Sequence, residues 1–244
     1  MLGVIGGSGA DSLSILNVES RRVIRTPYGS PSDPVVMGTI NGMQVLFLPR
    51  HGMSHKIPPH AINYRANLWA LRECGVTGVI ALNAVGAINA KLAPGDLALP
   101  DQVVDYTWGR SHTFFDGKSG IVRHVDFTAP YSKSLRERIE SAATGLGLRC
   151  FTPCCYAATQ GPRLETVAEI DRIERDGGDI VGMTGMPEAA LARELNIPYA
   201  SMCVVANMAA GRGDEEEITM EEIERNLVGG IADAYKVIEA AVGE

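Results

Sequence analysis

Short, almost unbroken apolar runs, each closed by a glycine or a polar residue, are the feature that most restricts what this chain can become. Leu2–Ile5 runs into Gly6-Gly7-Ser8-Gly9, Val79–Asn83 into Ala84-Val85-Gly86, and Tyr199–Ala206 into Asn207. Runs without polar alternation belong to strands covered on both faces. Between them lie stretches of helical spacing. Ala61–Glu73 sets Ile62, Ala66, Trp69 and Ala70 on one face and stops at Gly75, a usual helix terminator. Leu135–Leu146, Thr166–Asp176 and Glu188–Leu195 read as further helices, as does Met220 to about Val242 with Thr219 as N-cap. Val35–Ile40 and Val45–Leu48 flank Asn41-Gly42, the pair best suited to a tight hairpin. Leu97–Asp101 with Val103–Tyr106 reads as another strand pair, and Cys154–Thr159 and Asp179–Met183 as single strands. Strands and helices interleave with no internal repeat and no low-complexity linker, which predicts an α/β fold with helices on both sides of a largely buried sheet.

The 244 residues suit one large α/β domain or two small ones. A net charge of −7, without basic clustering, argues against a nucleic-acid binder, although a local pocket for a small anion remains compatible with it. The five cysteines match no zinc spacing and include the adjacent Cys154 and Cys155, which suggests reduced thiols. The N-terminus lacks the basic leader and long apolar core of a signal peptide. No apolar stretch approaches the roughly 20 residues that span a bilayer. The expectation is a soluble, cytoplasmic protein with no membrane partner.

Asn207 closes the longest of these runs. An amide there can donate and accept, whereas an ionised Asp only accepts. Gly6-Gly7-Ser8-Gly9 offers backbone N–H groups and a hydroxyl to an oxyanion, or is a plain strand-to-helix turn; it is neither the dinucleotide glycine pattern nor a Walker loop. Arg50 and His51, with His55 close behind, put a cationic donor fork and two imidazoles directly after a strand. Glu165, in Gly161-Pro-Arg-Leu-Glu-Thr166, either opens a helix or accepts from a ligand N–H. Thr184 precedes a helix expected near Pro187-Glu188 and is placed to meet an anion; Met183 beside it is either core or an apolar floor for a sugar. Trp108–His124 is irregular and polar, a candidate flap or subunit contact.

Together, Ile5-Gly-Gly-Ser-Gly9, Thr26-Pro-Tyr-Gly29, Arg50-His-Gly52, Asn63-Tyr-Arg-Ala-Asn-Leu-Trp-Ala-Leu71, Pro94-Gly-Asp96, Gly161-Pro-Arg163 and Gly182-Met-Thr184 with Pro187-Glu188 resemble the nucleoside phosphorylase family. That family contains purine nucleoside phosphorylase and 5′-methylthioadenosine phosphorylase, and the match is nearest to the methylthioadenosine branch. The resemblance covers nearly the whole chain. It implies a three-layer single domain over residues 1–244, with a central mixed β-sheet flanked by helices. It also implies phosphorolysis of a purine nucleoside, inorganic phosphate as cosubstrate, no metal or organic cofactor, and a homotrimer. Carried over, Ser8, Arg50, His51 and Thr184 would bind phosphate, with contacts from Asn83 and Ala84. Met183, Leu164, Met208 and Ala209 would meet the nucleoside. His124 and the Trp108–Asp116 segment could reach a neighbouring site.

The adenine-specific branch uses two Asp residues where this chain has Asn207 and Ala209, while 6-oxopurine enzymes resemble it in pairing Asn with a Glu at the place of Glu165. Glu165 can accept from N1–H of hypoxanthine and the Asn207 amide can serve N7 or O6, and a mismatch of buried polar groups costs about 10⁴-fold. Purine nucleoside phosphorylases bind the 5′-hydroxyl with a His in the last helix. This chain has no His after His124 and carries Met220 and Ile223 there instead, suited to a methylthio group or simply to helix packing. The combination points to S-methyl-5′-thioinosine as substrate. Inosine or guanosine, methylthioadenosine, and hydrolysis by a nucleosidase are the alternatives.

Overall fold

In this computed structural model, which describes residues 1–10, 12–117, 120–213 and 217–243, four parallel strands and their neighbours form the middle of the molecule. β1 (Leu2–Gly6) lies between β4 (Met43–Pro49) and β5 (Gly78–Ala87), parallel to both, and β5 is in turn parallel to β11 (Tyr199–Met208). β2 (Asn17–Arg22) and β3 (Val35–Ile40) add antiparallel edges beyond β4. On the other side β10 (Ile180–Gly182) is antiparallel to β5, followed by β9 (Cys155–Ala158) and β7 (Gln102–Asp105). β6 (Leu97–Ala98) joins β11 to β8 (Cys150–Phe151). The result is one mixed sheet of eleven strands among the described residues.

The unbroken apolar runs have their explanation in the layers. Every residue of β5 except Ala84, and of β11 except Met208, is buried. One face packs on α2 (Lys133–Gly145) and α5 (Met220–Gly243) through Leu135, Ile139, Val237 and Ile238. The other packs on α1 (Tyr64–Glu73) and α4 (Gly185–Glu194) through Leu68, Leu71, Ala189 and Leu191. α3 (Val167–Arg175) seats Ile170 and Ile173 on Ala157 and Val181. The hairpin at Asn41-Gly42 is a two-residue loop with φ of 49° and 77°, the left-handed pair that such a turn needs.

Two expectations need correction, and two strands were not read from the sequence. Leu97–Asp101 and Val103–Tyr106 do not pair with each other. β6 joins β11 and β8 while β7 joins β9, because Pro100 between them offers no ladder donor and the chain steps to a new neighbour. The helix expected from Ala61 starts at Tyr64, where the Asn63 side chain caps the Ala66 N–H. β2 is exposed along its whole length and so carries no burial periodicity. β8 is too short, at two residues, to show any.

α3 opens on a capping box. Thr166 accepts from the Glu169 N–H at 3.2 Å and Glu169 accepts from the Thr166 N–H at 2.8 Å, while Arg163 grips the same carboxylate at 2.7 and 2.8 Å. The Arg163 guanidinium, then the Thr166 N–H, hold Glu169 down from its ordinary 4.5 to about 2. A depressed carboxylate stabilises fully above its ordinary pKa, so this contribution is complete above about pH 4.5 and is lost as pH falls through about 2. Thr166→Val should cost about 1 kcal/mol in urea denaturation at neutral pH. An unchanged midpoint would show that the helix start is held by packing alone.

Candidate functional site

Residues at and just past the ends of β1, β4, β5, β10 and β11 surround a cavity of about 790 Å³. Ligand sites at strand ends are the rule in open α/β sheets. Ser8, Arg50, His51, Ala84 and Thr184 line it, as do Leu164, Glu165, Met183, Asn207 and Ala209. Met220 and Ile223 of α5 close the far side. Segments as far apart in sequence as Ser8 and Ile223 therefore meet in one space.

Arg50 is wholly buried and most of its fork is engaged. Nε and Nη2 donate to the two carboxylate oxygens of Glu188 at 3.1 and 2.8 Å, and Nη1 donates to the Leu82 carbonyl at 2.6 Å. Three of its five N–H groups are so held, and Arg50 is among the residues around the cavity. Burial alone would lower its pKa, but the Glu188 carboxylate outweighs this and raises it. Tyr199 donates its hydroxyl to Glu188 at 2.8 Å. The fit extends to the backbone: a Cβ on Gly7 would stand 2.5 Å from the Leu82 carbonyl oxygen and 2.7 Å from Arg50 Nη1. Glu188 is a site residue that sequence reading placed only at a helix start. No local signal could reveal a partner 138 positions away.

His51 donates from Nδ1 to the Ile57 carbonyl at 2.7 Å, and its ring stacks on His55 with centroids 4.5 Å apart. With Nδ1 so fixed, the neutral ring carries its lone pair on Nε2. Asn83 is buried one layer behind the cavity and is not in its wall. It donates to Ser201 Oγ at 2.6 Å and accepts from Thr184 Oγ1 at 2.8 Å, so it orients the Thr184 hydroxyl. Thr184 also sits at the start of α4, whose second residue Met186 departs from helical angles with φ −121° and ψ 142°. The amides of Thr184 and Gly185 donate to Tyr156 Oη at 3.4 and 3.3 Å.

On the opposite wall, Glu165 Oε1 accepts from Thr159 Oγ1 at 2.5 Å, which fixes one carboxylate oxygen. Asn207 lies just past a β-bulge, where the β11–β5 register shifts between Val205 and Asn207. A bulge re-aims a side chain, and here it delivers a buried amide to the cavity. Its Nδ2 donates to the Met208 carbonyl at 2.7 Å. Met208 contributes that backbone oxygen and is not in the cavity wall. Met220 is 61 % exposed, so its contact is one-sided. Glu224, which sequence reading did not weigh, stands in the same wall as Met220 and Ile223.

His124 is exposed, and both it and the Trp108–Asp116 segment lie outside the cavity wall. That segment is no loose flap within this chain. Thr113 Oγ1 and the Phe114 N–H donate to Glu194 at 2.6 and 2.7 Å, and Arg65 pairs with Asp116 at 3.1 Å. Trp108 lines a second cavity of about 440 Å³ that shares Glu165 with the first. Among the described residues no cluster of His, Cys, Asp and Glu is arranged for a metal ion, and no helix is long and apolar enough to cross a membrane.

Residues 1–243 match the model of the Phosphorylase superfamily. A probable S-methyl-5′-thioinosine phosphorylase of Xanthomonas campestris is 52% identical over 226 residues, covering 93% of this chain and 90% of that protein. A 6-oxopurine nucleoside phosphorylase of Pyrococcus furiosus is 42% identical over 246 residues, covering 99% and 91%. Among solved structures, the methylthioadenosine phosphorylase of Schistosoma mansoni in complex with adenine superposes with a TM-score of 0.95 at 31% identity, covering 99% of this chain and 90% of that one.

Proposed function

Since the chain belongs to the Phosphorylase superfamily, we propose that it cleaves a 6-oxopurine nucleoside with inorganic phosphate, with S-methyl-5′-thioinosine as the preferred substrate. The products would be hypoxanthine and 5-methylthioribose 1-phosphate. The observation that carries this reading is the meeting of Glu165 and Asn207 in one cavity wall, with Ala209, not an acid, two positions after Asn207. That set offers one carboxylate as acceptor for N1–H and an amide for N7 or O6, and no second carboxylate beside Asn207 for a 6-amino group. On the other side, Ser8, Arg50, His51 and Thr184 surround space for an anion, with Ala84 beside them and Asn83 acting through Thr184.

In the proposed reaction a phosphate oxygen bonds to C1′ as the C1′–N9 bond breaks, and the electron pair passes to the purine. Hydrogen bonding at N7 by Asn207 relieves that charge. Met183 floors the sugar while it is oxocarbenium-like. Arg50 brings its two remaining N–H groups, and Glu188 cancels its charge, so the pair supplies oriented donors more than net attraction. No cofactor enters; phosphate is a cosubstrate. We further assign the protein to the cytoplasm and to a homotrimer, in which His124 and the Trp108–Asp116 segment serve a neighbouring site.

The test is kcat/KM for methylthioinosine, methylthioadenosine and inosine, with and without phosphate. Methylthioinosine should lead, and turnover should stall without phosphate or arsenate. Turnover at full rate in water alone would make the protein a nucleosidase. A lead for methylthioadenosine would overturn the base assignment. Glu224 beside Met220 favours a second reading, since its carboxylate offers an acceptor to the 5′-hydroxyl of inosine or guanosine. Ile223→Ala separates the two: loss of apolar contact with a methylthio group should lower kcat/KM for methylthioinosine by about tenfold and leave inosine nearly unchanged. Equal losses on both would favour the second reading. Met220→Ala, at an exposed position, should cost less than Ile223→Ala.

A further inference from the structure

Arg110 lies in the irregular stretch after β7, 8 % exposed, and among the described residues no carboxylate pairs with it. A buried guanidinium is costly unless its donors are met, and here oxygens meet them. Nη1 donates to the carbonyls of Met183 and Met186 at 2.7 and 2.6 Å and to the Tyr64 hydroxyl at 3.3 Å. Nη2 donates to the carbonyls of Thr159 and Gln160 at 3.2 and 2.8 Å, and Nε to Gln160 Oε1 at 3.2 Å.

The two groups of acceptors belong to the two halves of the site. Thr159 is the residue whose hydroxyl fixes Glu165, and Met183 and Met186 bracket Thr184 and Gly185. β9 and β10 are held together by their own ladder only as far as Ala158 and Gly182, with two further bonds to the Gly182 carbonyl, from the Thr159 N–H at 2.8 Å and Thr159 Oγ1 at 3.4 Å. Beyond that the Arg110 fork bridges the two chains. We infer that Arg110 is the positioning residue that fixes the base-side wall against the phosphate-side wall, so that nucleoside and phosphate are held in reacting register. The inference rests on the site assignment proposed above.

A lysine could not replace it, because one ammonium cannot span acceptors on both sides. Arg110→Lys should lower kcat about 100-fold, the cost of misplacement near 1 Å, while the KM for each substrate moves less than about fivefold. Arg110→Ala should regain about tenfold in turnover, saturably, with added methylguanidinium and nothing with methylammonium. Should that variant not fold, Gln160→Met removes the Nε acceptor, which also accepts from the exposed Trp108 N–H, and kcat should fall about fivefold with little change in melting temperature. Wild-type kcat in Arg110→Lys, or unchanged kcat in Gln160→Met, overturns the inference. Inactivity of the wild-type protein on every purine nucleoside would instead strike the proposed function, so the two failures are told apart by the parent enzyme.

Discussion

Glu188→Ala is expected to lower the stability of the protein by about 3–5 kcal/mol, because it leaves the wholly buried Arg50 cation without its partner. At about 2–4 °C per kcal/mol for a chain of this length, the melting temperature should fall by roughly 10 °C. Part of the loss is the Tyr199 hydroxyl, which would also lose its acceptor. Activity should suffer separately. Without the bidentate grip the guanidinium still bonds to Leu82 through Nη1 but is free to pivot about it, and kcat/KM for phosphate should fall about 100-fold. Glu188→Gln keeps one acceptor and should lie between the two proteins on both measures. Differential scanning calorimetry with initial rates across phosphate concentrations checks both effects. An unchanged melting temperature in Glu188→Ala would mean that water reaches Arg50 and that the pair is not closed.

Asn207→Asp should change which purine is used. On the proposed contacts, the amide N–H group lost in this substitution is the donor toward O6 of hypoxanthine, and a carboxylate there repels it. The local geometry adds a second cost. Nδ2 donates to the Met208 carbonyl at 2.7 Å, so an ionised Asp would face an oxygen where a donor stood. Such an Asp is favoured in its protonated form, which can donate to N7 of adenine. Activity on methylthioinosine should therefore fall by about 10³-fold or more. Adenine nucleosides should gain little in the single variant, because Glu165 still presents a carboxylate to N1, an acceptor in adenine. Adding Glu165→Gln supplies an amide N–H to that nitrogen, and the double variant should prefer methylthioadenosine to methylthioinosine. The ratio of kcat/KM values for the two nucleosides is the readout. If Asn207→Asp leaves that ratio where it was, Asn207 does not touch the base.

Much of the architecture was legible because burial on both faces of a strand writes itself locally. β1, β5 and β11 were read within a few residues from apolar runs, the hairpin from Asn41-Gly42, and α3 and α5 within a residue or two, α5 with Thr219 before it as cap. β2 was missed because an exposed edge leaves no pattern, and β6 and β7 were joined wrongly because neighbours in sequence need not be neighbours in a sheet. For the site the division is similar. The positions just after strands drew attention to Ser8, Arg50, Thr184 and Asn207, all of which line the cavity. Asn83 and Met208 were expected to meet ligands directly, yet they stand behind Thr184 and Asn207.

By itself, then, the sequence determined the layered α/β form and which residue types stand at the strand ends, since short-range burial patterns and turn chemistry are properties of neighbouring residues. Only the tertiary structure decided how those ends are held. The Glu188 grip on Arg50 spans 138 positions, the Arg110 fork reaches up to 76 positions, and the shift in register that turns Asn207 into the cavity depends on the pairing of β11 with β5. Each depends on groups that meet only once distant strands have been brought together, and a donor or acceptor far along the chain leaves no mark on the residues around its partner.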